Sequence, residues 1–207
     1  PSSLIKRLAR VLDVEARQFE LVEELADNVE LPVQVTIASG FPKGDKLEFI
    51  TQKVTELGAS QIWAFPADWS VAKWDGKKLG KKVEKLEKIA LGAAEQSKRN
   101  FVPSITLFEK KADFLAQMSQ FDRIVVAYEE SAKEGESAAL IQAVAGLEKG
   151  AKLLFIFGPE GGLSPAEIES FEAKGAVLAG LGPRILRAET APLYALSALS
   201  VLLELEK

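Results

Sequence analysis

The 207-residue chain contains neither cysteine nor histidine. That excludes a disulfide framework, a thiol nucleophile, an imidazole base, a Cys/His zinc cluster and a Ser-His-Asp triad. No metal site is expected, and any catalysis has to draw on carboxylates, Lys, Arg, Tyr, hydroxyls, backbone groups or a borrowed cofactor. Long apolar runs of about 18 residues are also missing, as is the basic-then-apolar start of a signal peptide. Membrane contact is therefore not expected, and the cytoplasm is the expected location. The chain opens at Pro1 and its one methionine is Met118, so its natural start is expected to be missing. What remains is ordinary for a soluble globular protein: 47% hydrophobic, 27% charged, with length for one large domain or a medium domain and an appendage.

The net charge of -4 argues against a uniformly basic nucleic-acid binder. The charge is unevenly spread, however. Between Lys73 and Arg99 nine basic residues stand against four acids, and Lys6, Arg7 and Arg10 open the chain without any acid. Acids gather at Glu129, Glu130, Glu134 and Glu136 and again from Glu167 to Glu172. One face can thus attract phosphate while the whole chain stays acidic.

Residues 7–24 alternate imperfectly and read as a hairpin turning near Ala16. Past Pro32, the period-two pattern Val33, Val35, Ile37 gives a strand running into Ser39-Gly40 and opens the larger domain. Asp45 to Leu57 reads as a helix, with Asp45 as N-cap and Gly58 as the stop. Ile62 to Phe65 reads as a short strand. From Lys77 to Ser97, Leu79, Val83, Leu86, Ala90 and Ala93 form one helical stripe, with Lys78, Lys81, Lys82, Lys85 and Lys88 on another side, there either for solubility or for phosphate contact. Then follow a helix over 111–118, strand 123–127, an acidic loop, helix 137–147, strand 152–157, a Gly-rich turn, helix 165–174, strand 177–181, a second turn, and a final apolar helix from about Thr190 to Leu205. That last helix is expected to be buried against the sheet or a partner subunit. Alternating strands and helices imply an α/β domain on a mainly parallel sheet.

Two loops carry the chemistry. The apolar strand 152–157 delivers the chain into Gly158-Pro159-Glu160-Gly161-Gly162, at the kind of strand end where parallel sheets bind ligands. Three glycines admit close approach of a ligand, and Ser164, Pro165 and Glu167 form the start of a capped helix. A tight strand-to-helix turn is the simpler alternative, but it needs neither the third glycine nor the carboxylate. The second loop runs Leu181-Gly182-Pro183-Arg184-Ile185-Leu186-Arg187-Ala188-Glu189-Thr190-Ala191-Pro192 and is expected at the same sheet end. Its two arginines are either anion or base binders or simple helix-flanking charges. Neither a P-loop nor G-x-G-x-x-G fits these glycines.

These two loops closely resemble those of the RsmE family of 16S ribosomal RNA uracil-1498 N3-methyltransferases, a branch of the SPOUT class. Pro42-Lys43-Gly44-Asp45-Lys46, Gln52 to Gly58 and Glu95 to Arg99 support the resemblance in family order, over roughly Leu31 to the end. It implies a SPOUT methyltransferase domain over 31–207 with a C-terminal trefoil knot, where pattern alone draws an unknotted doubly wound sheet. Residues 1–30 would be an incomplete N-terminal PUA-like β-barrel that helps to bind RNA. It also implies S-adenosylmethionine as cofactor, a homodimer, and 16S ribosomal RNA of the small subunit as substrate, with no DNA partner. Phe157, Gly158, Pro159, Glu160, Gly161, Gly162, Leu181, Gly182, Arg184, Ile185, Leu186, Thr190 and Ala191 would hold the cofactor. Arg187 would stabilise the uracil anion, and Glu160 or Glu189 would take the N3 proton or position the base. Lys43, Lys46, Lys98 and Arg99 would contact RNA, beside the lysine face. A fold-sharing RNA-binding or ribosome-assembly factor without turnover, and a SPOUT enzyme acting on ribose or another base, are the rival readings.

Overall fold

A computed structural model describes residues 6–25, 28–128 and 139–205. The acidic loop read at Glu129 to Glu136, and the start of the helix read from Ser137, lie outside the described residues.

The chain begins with a two-stranded antiparallel hairpin, β1 (Lys6–Asp13) and β2 (Gln18–Leu25), turning through 14–17 as the alternation predicts. Val11, Leu12, Val14 and Phe19 on this ribbon are more than half exposed. Such a hairpin has little apolar burial of its own to hold it.

The rest is built on six parallel strands: β3 (Gln34–Gly40), β4 (Gln61–Phe65), β5 (Ser104–Leu107), β6 (Arg123–Ala127), β7 (Lys152–Phe157) and β8 (Val177–Ala179). Their order across the sheet is β5-β4-β3-β7-β6-β8, and every neighbouring pair is parallel. Helices α1 (Lys46–Glu56), α2 (Gly76–Gln96), α3 (Lys111–Gln117), α4 (Ala139–Val144), α5 (Pro165–Glu172) and α6 (Thr190–Ser200) connect and cover it. Period-two alternation decides which face each strand residue serves. Val35, Ile37, Leu153, Phe155 and Phe157 point to one side and pack with Ile50 and Val54 of α1, Ala143 of α4 and Leu196 and Leu199 of α6. Ala38, Leu154 and Ile156 point to the other, against Phe114 of α3 and Ile168 and Phe171 of α5. On that second side Phe65 and Phe114 stack with centroids 4.2 Å apart. A smaller cluster of Phe41, Leu47, Ala64, Leu79 and Leu86 seats α2 against α1 and β4.

Three local expectations need correction. Asp45 takes the N-cap position of α1, but its side chain makes no capping bond; its carbonyl accepts from Glu48 and Phe49 instead. Strand β8 ends at Ala179, short of Leu181, because only Val177 to Ala179 have a partner in β6. The last helix stops being α-helical at Ser200 and continues as a wider π-helical turn over Val201–Leu205. The sequence reading of the Ser164 to Glu167 capping box holds in full: Ser164 Oγ accepts the Glu167 N–H, and the Glu167 carboxylate accepts the Ser164 N–H.

Candidate active site

The strand order reverses between β3 and β7: the chain steps outward from β3 through β4 to β5, whereas β7 lies on β3's other side. Loops leaving the carboxyl ends of two strands that diverge in this way open a crevice, the usual ligand position in parallel sheets. Here the loop after β3 and the loop after β7 are pressed together. A Cβ at Gly40 would lie 2.5 Å from Pro159 Cδ, and one at Gly158 would lie 2.8 Å from the Gly162 carbonyl carbon. Gly162 itself has φ of +79° and its N–H donates to Pro159 O, closing a tight turn. The glycines are therefore required by close packing and by a left-handed backbone, before any ligand is considered.

A cavity of about 750 Å³ opens at this point. Phe157 to Gly162 of the first predicted loop line it, together with Ile185, Leu186, Arg187 and Ala191 of the second. A recess of about 100 Å³ adjoins it, walled by Leu181, Gly182, Arg184 and the same Ile185, Leu186 and Ala191. The two loops, separated in sequence by α5 and β8, thus enclose one space. Of the residues predicted to hold the cofactor, Thr190 alone lines neither part; it begins α6 and its N–H donates to Arg187 O.

Lys46, at the start of α1, ties the wall together. Its ammonium lies 3.0 Å from Glu160 Oε1 and 2.9 Å from Glu189 Oε2, so it bridges one carboxylate from each loop. Glu160 also accepts the Lys43 backbone N–H at 3.1 Å. Hydrogen bonding to Glu189 and Glu160 raises the Lys46 pKa above its ordinary value. Desolvation pushes the Glu160 carboxyl up, but its own backbone N–H, Lys46 and the Lys43 N–H together outweigh that and hold it low. Lys46, the Glu189 backbone N–H and the nearby Arg187 charge likewise hold Glu189 low, against desolvation. Both carboxylates are therefore firmly ionised at neutral pH. A carboxylate in this state is a poor proton acceptor and a good anchor.

The residues predicted to contact RNA separate. Lys43 and Lys98 are exposed. Lys46 is built into the cavity wall. Arg99 is a correction: its side chain is only 2% exposed. It pairs with Glu30, and its guanidinium donates to Thr55 O at 2.9 Å and Ala59 O at 2.7 Å, capping the negative end of α1. Lys98, with φ of +58°, supplies the reversal after α2 that turns Arg99 inward. On α2, Lys78, Lys81, Lys85 and Lys88 face solvent, while Lys82 lies over the Trp74 ring at 4.4 Å.

Sequence reasoning missed Trp69, Ala127, Tyr128, Leu163, Pro165 and Ala188 in the cavity wall. Ala127 ends β6, beside β7, and Tyr128 follows it; the strand-end rule applied to β6 would have found them. No pattern marked Trp69. Among the described residues no helix is long and apolar enough to cross a membrane.

Residues 29–200 match the RNA methyltransferase domain family. The chain is 55% identical over 185 residues to ribosomal RNA small subunit methyltransferase E of Bacillus subtilis (strain 168), covering 89% of this chain and 72% of that one. Among solved structures it is similar to a ribosomal RNA small subunit methyltransferase E from Neisseria gonorrhoeae bound to S-adenosyl methionine, with a TM-score of 0.79, 27% identity and coverage of 97% of this chain and 80% of that one. It is also similar to a putative methyltransferase from Legionella pneumophila in complex with its cofactor SAM, with a TM-score of 0.76, 26% identity and coverage of 96% and 79%. A match over most of the chain and 55% identity to a member are decisive: the chain belongs to the ribosomal RNA small subunit methyltransferase E family.

Proposed function

We propose that the chain methylates N3 of a uracil in 16S ribosomal RNA, with S-adenosylmethionine held at the meeting of the two loops. One observation carries this reading: two glycine-bearing loops from separate strands close on a single cavity and are joined there by Lys46. The cavity's volume lies in the range of small-molecule sites. Backbone that only glycine permits forms one wall, as close approach to a cofactor requires. When bound, S-adenosylmethionine supplies an electrophilic methyl group, which suits a chain without thiol or imidazole.

Phe157 to Gly162, Leu181, Gly182, Arg184 to Leu186 and Ala191 form the cofactor's walls in this reading, with Thr190 fixing the second loop from behind. Uracil N3 bears a proton between two carbonyls, and its loss spreads negative charge onto N3 and both oxygens. Arg187 faces the cavity and stabilises that charge. Glu160 and Glu189, ionised against Lys46, act as positioning groups for the two loops; their depressed pKa values weigh against either as the N3 base. The N3 proton would pass to solvent before attack, and the cavity walls would hold the cofactor with its methyl group toward the N3 anion that Arg187 stabilises.

The finer architecture belongs to the same proposal. From the sheet-edge strand β8 the chain returns to place α6 on the face of β7, a path that supports a C-terminal trefoil knot. Residues 31–207 make up the methyltransferase domain, and the β1–β2 hairpin is the last part of a PUA-like RNA-binding barrel. Exposed Tyr194, Val201 and Leu205 on and after α6 support a homodimer contact. Lys43, Lys98 and the solvent-facing lysines of α2 form the RNA surface of a cytoplasmic enzyme. The test is nucleoside mass spectrometry of unmethylated 16S ribosomal RNA after incubation with the chain and S-adenosylmethionine. Appearance of 3-methyluridine is the expected result; a different methylated nucleoside, or none, rejects the reading.

A further inference from the structure

We infer that Trp69 is the stacking platform for a base of the RNA substrate, a specificity-determining contact at the RNA side of the cavity. The inference rests on the reading of this cavity as an RNA methyl-transfer site.

Trp69 lies in the loop after β4 and lines the cavity, yet 49% of it is exposed. A large aromatic residue left half exposed at a cavity rim presents a face that the protein itself does not use. Among the described residues the indole has no aromatic partner, and its N–H has no acceptor. Phe65, Trp63 and Trp74, by contrast, are all engaged with other rings.

The indole is held on a rigid mount. A Cβ at Gly161 would lie 3.0 Å from Trp69 Cβ, and one at Gly162 would lie 3.9 Å from Trp69 Cζ3, so the residue rests directly on the glycine turn. On one side of it, the Asp68 N–H donates to Glu167 at 2.9 Å, and the Asp68 carboxylate is held by Lys111 and Ser164. On the other, the Ser70 N–H donates to Ala67 O at 3.0 Å. An aromatic ring fixed at both flanks and open on its face loses little freedom when it stacks on a base.

Position decides between the base and the cofactor as the stacked partner. The recess at the β6 and β8 ends, about 100 Å³ and lined by Tyr128 and Arg184 beside small apolar groups, takes one part of the cofactor in this reading, and Phe157 to Gly162 wall the rest. Trp69 is absent from that wall. It enters the larger cavity from the loop after β4, and the chain that follows it runs within a few residues to Lys73 and the lysines of α2. The indole thus lines the cavity on the segment that leads into the basic surface. A base taken out of its stack needs a new stacking partner at that threshold.

The test uses the full chain, unmethylated 16S ribosomal RNA and radiolabelled S-adenosylmethionine. Trp69→Ala and Trp69→Leu should each lower kcat/KM for the RNA about tenfold, within the range for loss of one base–aromatic stack. Trp69→Phe should restore most of it, and in all three the Kd for S-adenosylmethionine should change by no more than about twofold, far less than kcat/KM for the RNA. RNA should also quench tryptophan fluorescence in the parent more than in Trp69→Phe. An unchanged kcat/KM in Trp69→Ala overturns the inference, and so does a parallel loss of cofactor affinity, which assigns the indole to the cofactor. Failure of the parent to methylate RNA at all would instead sink the functional reading, while the quenching comparison would still test the stack.

Discussion

Two lysines near the carboxyl ends of the sheet each hold two carboxylates, and they do different things. Lys111 pairs with Asp68 and with Glu167 at 2.9 Å, and Glu167 is 1% exposed. Every acceptor there is committed to the fold: Glu167 takes the Asp68 and Ser164 N–H groups and so anchors the start of α5 and the Trp69 loop. Lys46 pairs with Glu160 and Glu189 at an overall exposure no greater than that of Lys111 and Asp68, but Lys46 and Glu160 line the cavity. The same charges in the same number thus build a girder in one place and a clamp across a binding site in the other. What separates them is which elements they join. Lys111 joins segments that are already packed on one core, whereas Lys46 joins two loops that enclose empty space.

Removing the girder should cost most in stability. Glu167→Ala strips partners from Lys111 and from two backbone N–H groups, and should lower the free energy of unfolding by about 3 kcal/mol, read from urea denaturation. Gly40→Ala perturbs the clamp without altering its charges, since the new methyl would collide with Pro159 and displace Glu160 from the Lys43 N–H. A loss of about 2 kcal/mol together with weaker S-adenosylmethionine binding by calorimetry is expected.

The pH dependence of stability separates the clusters from other charges with a smaller effect. Glu160 and Glu189 have pKa values below their ordinary 4.5, so their contribution is complete above 4.5 and is lost as the pH falls through the lowered values. Lys46 lies above its ordinary 10.5, so its contribution is complete below 10.5 and is lost as the pH rises through the raised value. Lys111 and Asp68 shift in the same directions. Stability by thermal unfolding should therefore be flat across neutral pH and fall at both extremes. Lys46→Met should shallow both limbs by about 1 kcal/mol. Least of all, Lys81→Ser and Lys88→Ser should move stability by no more than about 0.5 kcal/mol while reducing the salt dependence of RNA binding.

Much of this was legible in the sequence where local rules act alone. The alternation of Val33, Val35 and Ile37, the Ser164 to Glu167 box and the apolar run 152–157 each specify an element with little help from elsewhere. The two loops were legible as a site because glycine, proline and charge fall together there, although the fold itself also requires the glycines. The functions of Lys46 and Arg99 were not legible. Both stand in basic motifs and read as RNA contacts, but their partners, Glu160 and Glu189 for one and Glu30, Thr55 and Ala59 for the other, lie 40 or more residues away in sequence. Charge clustering reveals that cations are present; only the fold decides which of them face water.

The most direct test of the clamp is single-turnover methyl transfer to 16S ribosomal RNA by Lys46→Met beside Lys111→Met, each normalised to folded protein. Loss of the clamp should slow transfer by about 100-fold, comparable to a misplacement of the reacting groups by about 1 Å, at a cost of only about 1 kcal/mol in urea denaturation. Loss of the girder should cost about 2 kcal/mol of stability yet leave the rate of the folded fraction within about threefold. Equal rates in the two variants, or full activity in Lys46→Met, would contradict the account.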